Sequence, residues 1–316
     1  MNILLLGAGY LGTELLGFLP DRDCITILDH GGNFERLKAA QSFDPSRMQL
    51  FRGDLLDGDL VNRLVEDADI IINLTGGGGN AACERDPARY INTYIIGLLR
   101  LVRQAERSGV DRFYLSSSIS VYPSPPPGEI LKVTEATPPM PSTLYGILKL
   151  SAERILEESD LDYTVLRLSN IYGSTGLYPV PEGGLFGNFL RALFDGEPLA
   201  VDGDGTQTID YIHIRDVCRC IRMLVSKPSG GRSVFNVGSG TVKQINEIAT
   251  TIIGIARERL DRSPRVVYRP ARNRILNYPL MSIDSIQKTT GWCPEIGMGQ
   301  GLCEMLAAYA RLHHQP

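Results

Sequence analysis

The chain has no long run of hydrophobic residues, no C-x-x-C pair, no histidine spacing suited to zinc and no basic stripe. Each absence removes a class of function. Without an apolar stretch of about 20 residues there is no candidate membrane span. The apolar start Ile3–Leu6 lacks a basic flank and runs straight into Gly7, so it reads as a buried strand rather than a secretory signal. Six scattered cysteines (Cys24, Cys83, Cys218, Cys220, Cys293 and Cys303) supply neither a disulfide framework nor a metal knuckle, and read as reduced, mostly buried thiols of a cytoplasmic protein. His313-His314 at the tail reads as frayed rather than ligating, and no metal is expected. A formal net charge of -4 gives no electrostatic reason to expect nucleic acid or an anionic membrane as partner. What is present, 43% hydrophobic and 22% charged residues over 316 positions, suits a soluble globular protein of one large or two fused domains.

Short β-rich runs alternate with helix-period segments through the first half. Asn2–Leu6, Cys24–Leu28, Met48–Arg52, Ile70–Leu74, Arg112–Ser116 and Tyr163–Leu168 read as strands, with helical patterns at Leu11–Leu19, Leu60–Val65, Ala88–Ser108 and Tyr145–Glu158. Continuous apolar strands separated by helices imply a parallel sheet covered on both faces, a doubly wound α/β fold. Two proline clusters, Pro123–Pro127 and Pro138–Pro141, make a connection too rigid and donor-poor for regular structure. A glycine- and proline-rich stretch follows Tyr172-Gly173. Further on, Asn188–Phe194 and Ile212–Leu224 read as helices, Val234–Gly238 as a strand rejoining the sheet, and the chain from Ile245, with a strand at Val266–Tyr268, as a smaller lobe.

Gly7-Ala8-Gly9-Tyr10-Leu11-Gly12 follows a strand and opens a helix, the context in which G-x-G-x-x-G acquires meaning. Glycine there permits a tight turn and brings a pyrophosphate close to backbone N–H groups at the helix N-terminus. Asp29 ends the second strand 17 residues after Gly12, where its carboxylate can accept hydrogen bonds from the ribose hydroxyls of NAD and would repel a 2'-phosphate. Arg36 leaves NADP as an alternative. Gly53-Asp54-Leu55, after the third strand, fits an adenine wall or an ordinary strand-ending turn. Leu74, Thr75 and Gly76, at the end of the fourth strand, fall beside the same cofactor.

Tyr145 and Lys149 are four residues apart and share one face of a helix, so an ammonium can sit beside a phenol and favour its ionised form. A free tyrosine titrates near pH ~10, and a neighbouring cation is what makes it a usable base. Ser116-Ser117-Ser118 closes the preceding strand. Alone, Y-x-x-x-K is an ordinary amphipathic-helix pattern; the glycine turn and the serine run give it significance.

With these motifs in place the chain resembles an extended short-chain dehydrogenase/reductase of the NAD-dependent nucleotide-sugar epimerase and dehydratase branch, nearest the UDP-galactose 4-epimerase type. The resemblance rests on the glycine turn, Asp54-Leu55, Ser116–Tyr122, Thr134-Glu135, Tyr145-x-x-x-Lys149, Leu166-Arg167-x-x-Asn170-x-Tyr172-Gly173, Gly203-Asp-Gly205, Asp210-Tyr-Ile-His213 and Asn236-Val-Gly238, in that order. It implies a Rossmann domain over residues 1–172 plus about 210–240. A substrate lobe would take about 173–209 plus 241–316, and the homodimer would pair two helices per subunit. It makes Tyr145 the proton acceptor and donor at a sugar hydroxyl. Lys149 becomes the residue that lowers its pKa and holds the nicotinamide ribose, and Ser118 a hydrogen-bond partner of the same oxygen. Asn170 and Asn188 would bind the substrate. Arg272 would hold a phosphate or, equally, stand on a solvated face. Ser116 would lie along the cofactor. Dehydrating members place Asp-Glu directly after the catalytic serine, whereas here the pair is Ile119-Ser120, which leaves the hydride machinery of a 4-epimerase. The competing readings are a reductase of a nucleotide-linked 4-keto sugar and a non-catalytic nicotinamide-binding scaffold. Three departures stand out: Ile209 where a diphosphate-binding arginine is usual, Tyr94 where asparagine is usual, and the run Gly76–Gly79 beside the cofactor.

Overall fold

The computed structural model describes residues 1–32, 34–40, 42–126, 128–175, 184–227, 230–270 and 276–313. Arg272 and His314, singled out above, lie outside the described residues, as do the side chains of Arg36 and His313.

Seven parallel strands form one sheet in the spatial order Ser233–Val237, Tyr163–Leu168, Arg112–Ser118, Ile70–Asn73, Asn2–Leu6, Cys24–Asp29 and Met48–Arg52. All four residues of Ile70–Asn73 and all six of Tyr163–Leu168 are buried, as expected for strands covered on both faces. Alternate residues of the first strand feed opposite layers. Ile3 and Leu5 pack with Leu15, Leu16, Val217, Ile221 and Trp292, whereas Leu4 and Leu6 pack with Val61, Val65, Leu101, Val102 and Leu156. The helix Leu98–Ser108 shows the sequence logic plainly. Leu98, Leu101, Val102 and Ala105 recur at helical spacing and are all buried, and Gly109 ends the helix in the left-handed region.

A third apolar cluster lies beyond the sheet's C-terminal edge. Phe186, Phe189 and Leu190 of the helix Gly184–Asp195 meet Ile245, Ile248 and Ile252 of Ile245–Leu260, and Met305 and Leu306 of Met298–His313. A small parallel pair, Leu199–Asp202 with Val266–Arg269, flanks it. Ile209 packs against this cluster, and the apolar core accounts for the residue type at that departure.

Three expectations change. Ile212 and His213 belong to a strand, Tyr211–His213, paired in parallel with Asn170–Tyr172. The helix starts at Ile214, because His213 caps it through a ring nitrogen that accepts from the Arg215 amide at 3.3 Å. The span Ala88–Ser108 is helical but not uniform. It opens as Pro87–Ile91, widens into a π-helical turn over Asn92–Gly97 and resumes as Leu98–Ser108. The proline-rich connection does hold regular structure, since Lys132 and Val133, which keep their N–H groups between the proline clusters, pair with Leu280 and Met281. No helix among the described residues is long and apolar enough to cross a membrane.

The strand order reverses between Asn2–Leu6 and Ile70–Asn73, and ligands of open α/β sheets settle in the crevice outside the carboxyl ends of strands at such a point. There the Gly7 amide donates to the Leu28 carbonyl and the Leu74 amide to the Leu6 carbonyl, each at 2.9 Å, so the loops leave the sheet in fixed directions.

Candidate active site

A cavity of about 840 Å³ opens at this crevice. Its walls bring together Gly7, Gly9, Tyr10, Leu11, Gly12 and Asp29 from the first two strand ends, and Asp54 and Leu55 from the third. Leu74, Thr75 and Gly76 follow from the fourth, then Ser116, Ser118, Tyr145, Lys149 and Asn170 toward the far end. Asn188 is not part of this wall. It stands on the exposed face of its helix, where its side-chain oxygen accepts from Arg191 at 2.8 Å.

The glycine turn is built for a ligand's phosphates. A Cβ on Gly12 would lie 2.1 Å from the Gly7 carbonyl oxygen, so glycine lets the helix close onto the turn. A Cβ on Gly9 would meet nothing within 4 Å, so glycine there keeps free a space that no protein atom claims. Asp29 holds the turn from below. One carboxylate oxygen accepts from the Ala8 amide and the other from the Gly31 amide, each at 2.9 Å. These features fit a dinucleotide: open backbone donors at a helix start, with a carboxylate one strand away.

The far end carries the acid–base groups. Thr143 caps the helix Leu144–Glu157 by accepting from the Gly146 amide at 3.1 Å, and the first turn of that helix presents Tyr145 to Ser118. Burial pushes the Tyr145 phenol up; hydrogen bonds with Ser118 and Tyr94 oppose that, and Tyr278 adds to it. Lys149, 3% exposed, donates to the Ser116 carbonyl at 2.7 Å. Burial lowers it to about 7, with Glu153 acting in the opposite direction. Its ammonium lies 4.5 Å from the Tyr94 ring centroid and 5.8 Å from that of Tyr145. The expectation that Lys149 brings down the phenol therefore needs refinement. Burial dominates the phenol, and the nearest ring to the ammonium belongs to Tyr94.

Several lining residues were not singled out as site residues from the sequence. Asn80, Arg89, Tyr90, Thr93, Ser120 and Tyr278 all face the cavity. Tyr278 arrives from the C-terminal segment, with its amide on the Thr208 carbonyl and its hydroxyl accepting from Asn80 at 3.2 Å. No local motif announces it. Tyr94 and the glycine run were visible only as oddities. Arg167, by contrast, belongs to the framework rather than to the cavity wall. It forms a buried ion pair with Glu153 at 2.7 Å and donates to Tyr122 at 2.9 Å.

A family model described as the NAD dependent epimerase/dehydratase family matches residues 3–238. The chain belongs to this family. It is an enzyme of the extended short-chain dehydrogenase/reductase type, and NAD is its cofactor. Among similar proteins, a UDP-glucose 4-epimerase of Mycolicibacterium smegmatis is 28% identical over 96% of this chain and 97% of its own length. A dTDP-glucose 4,6-dehydratase of Streptomyces niveus is 29% identical over 98% and 93%. The crystal structure of a Thermotoga maritima UDP-glucose 4-epimerase with UDP-glucose superimposes with a TM-score of 0.85 at 25% identity, covering 99% of this chain and all of that one.

Proposed function

We propose that the protein is an NAD-dependent nucleotide-sugar 4-epimerase, with a UDP-hexose as substrate. One observation carries the choice over dehydration, which relatives of equal similarity catalyse. The carboxylates among the described lining residues are Asp29 and Asp54, both at the cofactor end. Beside Tyr145 stand Ile119, buried among Val121, Tyr122, Val133 and Met281, and Ser120, which faces the cavity. Elimination of water needs an acid and a base in addition to the tyrosine, and these two positions supply neither.

Gly7, Gly9, Gly12 and Asp29 would hold the dinucleotide's pyrophosphate and adenosine ribose, with Tyr10, Leu11, Asp54, Leu55, Leu74, Thr75, Gly76 and Ser116 lining the same cavity. Lys149 would hold the nicotinamide ribose. NAD, held in this cavity, would supply the acceptor and donor of the C4 hydride. Tyr145 takes the C4 hydroxyl proton as the 4-keto sugar forms and returns it to the epimeric alcohol. Ser118 hydrogen-bonds the same oxygen, so the proton moves along a short fixed path. Asn170 binds the substrate from the strand Asn170–Tyr172, where its side chain also reaches the Asp210 carbonyl at 3.4 Å. Residues 1–172 with about 210–240 form the cofactor domain, and the remainder forms the substrate lobe.

The working unit is a cytoplasmic homodimer. Ile91, Ile96 and Leu99 on one helical span and Ile147 on the neighbouring helix are each 42–48% exposed, a shared apolar face that a second copy would cover. Sedimentation velocity should give twice the chain mass, and Ile96→Asp with Ile147→Asp should give monomers.

The epimerase reading is tested by denaturing the purified protein and quantifying released nucleotides by mass spectrometry. Near-stoichiometric NAD is expected. An empty site that binds added NADPH would favour the reductase, and no nicotinamide affinity would overturn both.

A further inference from the structure

Tyr94 lies at the centre of the wide π-helical turn Asn92–Gly97 and is 4% exposed. π-Turns inside helices recur at functional sites. Here the side chain is aimed between two parts of the cavity wall. Its hydroxyl donates to the Gly76 carbonyl, and a Cβ on Gly76, at φ +86°, would fall 2.2 Å from its ring. The glycine at 76 and the tyrosine at 94 are thus a matched pair. Tyr90, whose ring meets that of Tyr94 edge-on at 5.7 Å, donates in the same manner to the Gly77 carbonyl. The run of glycines is tied down by two phenols.

The face of Tyr94 meets Lys149 at 4.5 Å. A buried ammonium without a carboxylate must find compensation elsewhere. Among the described residues the hydrogen-bond acceptor of Lys149 is the Ser116 carbonyl. An aromatic face at this distance attracts a cation through its quadrupole. We infer that Tyr94 is a positioning residue for the active site: its ring carries the Lys149 ammonium while its hydroxyl binds Gly76, so one side chain fixes both the base pair and the cofactor loop. The inference rests on the roles given above to Tyr145 and Lys149.

The groups that face Lys149 are Tyr94 from the π-turn, the Ser116 carbonyl from the sheet, and Tyr145 and Glu153 from its own helix. Tyr145, Tyr90 and Cys83 bear on Tyr94, and Ser118, Tyr278, Tyr90 and Tyr94 bear on Tyr145. Glu153 is paired with Arg167 and also accepts from Ser117. Burial raises the pKa of all four tyrosines and of Cys83, so between pH 5 and 9, below the ordinary tyrosine value of ~10, Lys149 is the titrating member of this set.

The test is direct, since the chain has six lysines. Full-length protein labelled with 13C at lysine Cε is titrated by NMR with NAD bound, and Lys149 is assigned from the signal lost in Lys149→Arg. Tyr94→Phe keeps the ring and should leave the Lys149 midpoint in place. Tyr94→Leu and Tyr94→Met fill the space without a π-face and should each lower it by about one pH unit, the size of a desolvated cation–π contact. An unmoved or raised midpoint in whichever of these two folds would overturn the ring's role, as would a Phe variant that shifts as far as they do. Tyr94→Phe, which removes the hydroxyl's bond to the Gly76 carbonyl together with its bond to Tyr145, should release NAD about fivefold faster, the Gly76 bond alone being worth about 1 kcal/mol; an unchanged release rate would overturn the tether to Gly76. Tyr145→Phe that still interconverts UDP-galactose and UDP-glucose would sink the catalytic reading and leave the titration result standing.

Discussion

Arg167 and Lys149 are both buried cations beside the helix Leu144–Glu157, and the protein treats them in opposite ways. The Arg167 guanidinium meets Glu153 through Nε at 3.1 Å and Nη2 at 2.7 Å, and Tyr122 through Nη1 at 2.9 Å. Burial works against its charge, but Glu153 and Tyr122 raise its pKa above the ordinary arginine value. Lys149, one turn from Glu153, has a carbonyl and two ring faces and no carboxylate of its own, and burial brings it to about 7. A charge neutralised by a bidentate partner serves the framework, since it ties the Tyr145 helix to the strand Tyr163–Leu168. A charge left without an acid partner is free to respond to a proton, a phenol or a cofactor. The same helix therefore carries one cation for architecture and one for chemistry.

The comparison breaks first at activity. Tyr145→Phe should lower kcat for UDP-galactose turnover by about 10²- to 10⁴-fold, the ordinary size of a general acid–base contribution, with NAD content and melting temperature unchanged. A variant within tenfold of the parent would remove the phenol from the chemistry. On the other side of the comparison, Arg167→Met should cost about 3–5 kcal/mol in denaturant unfolding by stranding Glu153, while the folded fraction keeps kcat within a few-fold. If activity per folded molecule falls as far as in Tyr145→Phe, the division between framework and chemistry is wrong.

The third effect is smaller and depends on pH. The folded pKa of Lys149, about 7, lies below its unfolded value of 10.5, so between the two the unfolded chain holds a proton that the folded chain lacks. Stability contributed by this group therefore rises with pH across that window, by up to about 1.4 kcal/mol per unit, and the full cost of the buried charge is present below it. Unfolding curves of the parent and of Lys149→Met, collected from pH 6 to 9, should converge at the acid end's expense: Met gains most over the parent at pH 6. Parallel pH profiles would show that Lys149 is not buried as a strained cation. The smallest effect is Thr143→Ala, which removes the cap from the Gly146 amide and should cost about 1 kcal/mol. Because that cap serves the whole helix, the pH dependence should be unaltered.

Much of the framework was readable from residue pattern. Asn2–Leu6, Met48–Arg52 and Tyr163–Leu168 coincide with observed strands because each is a short run rich in apolar residues and bounded by turns or charges. The glycine turn was readable for the same local reason, since Gly9 and Gly12 act through backbone geometry alone. The catalytic end was legible only in part. Tyr145, Lys149 and Ser118 are close in sequence to elements that fix them, but the Tyr94–Gly76 and Asn80–Tyr278 contacts join residues 18 and 198 positions apart. Periodicity carries no information about such pairs. Ile212 and His213 read as helix in the sequence but are strand, because an apolar residue before a helix looks the same whether it closes a strand or opens the helix, and only the pairing with Asn170–Tyr172 decides.

The most direct test of the proposed reaction follows a label. Incubation with UDP-galactose carrying deuterium at C4, followed by mass spectrometry and NMR of the hexose, should give UDP-glucose of the same mass with deuterium still at C4. That outcome is the one expected when the hydride leaves C4 and returns to it within one site. A product lighter by one water, or deuterium recovered in released nicotinamide rather than in the sugar, would contradict the account.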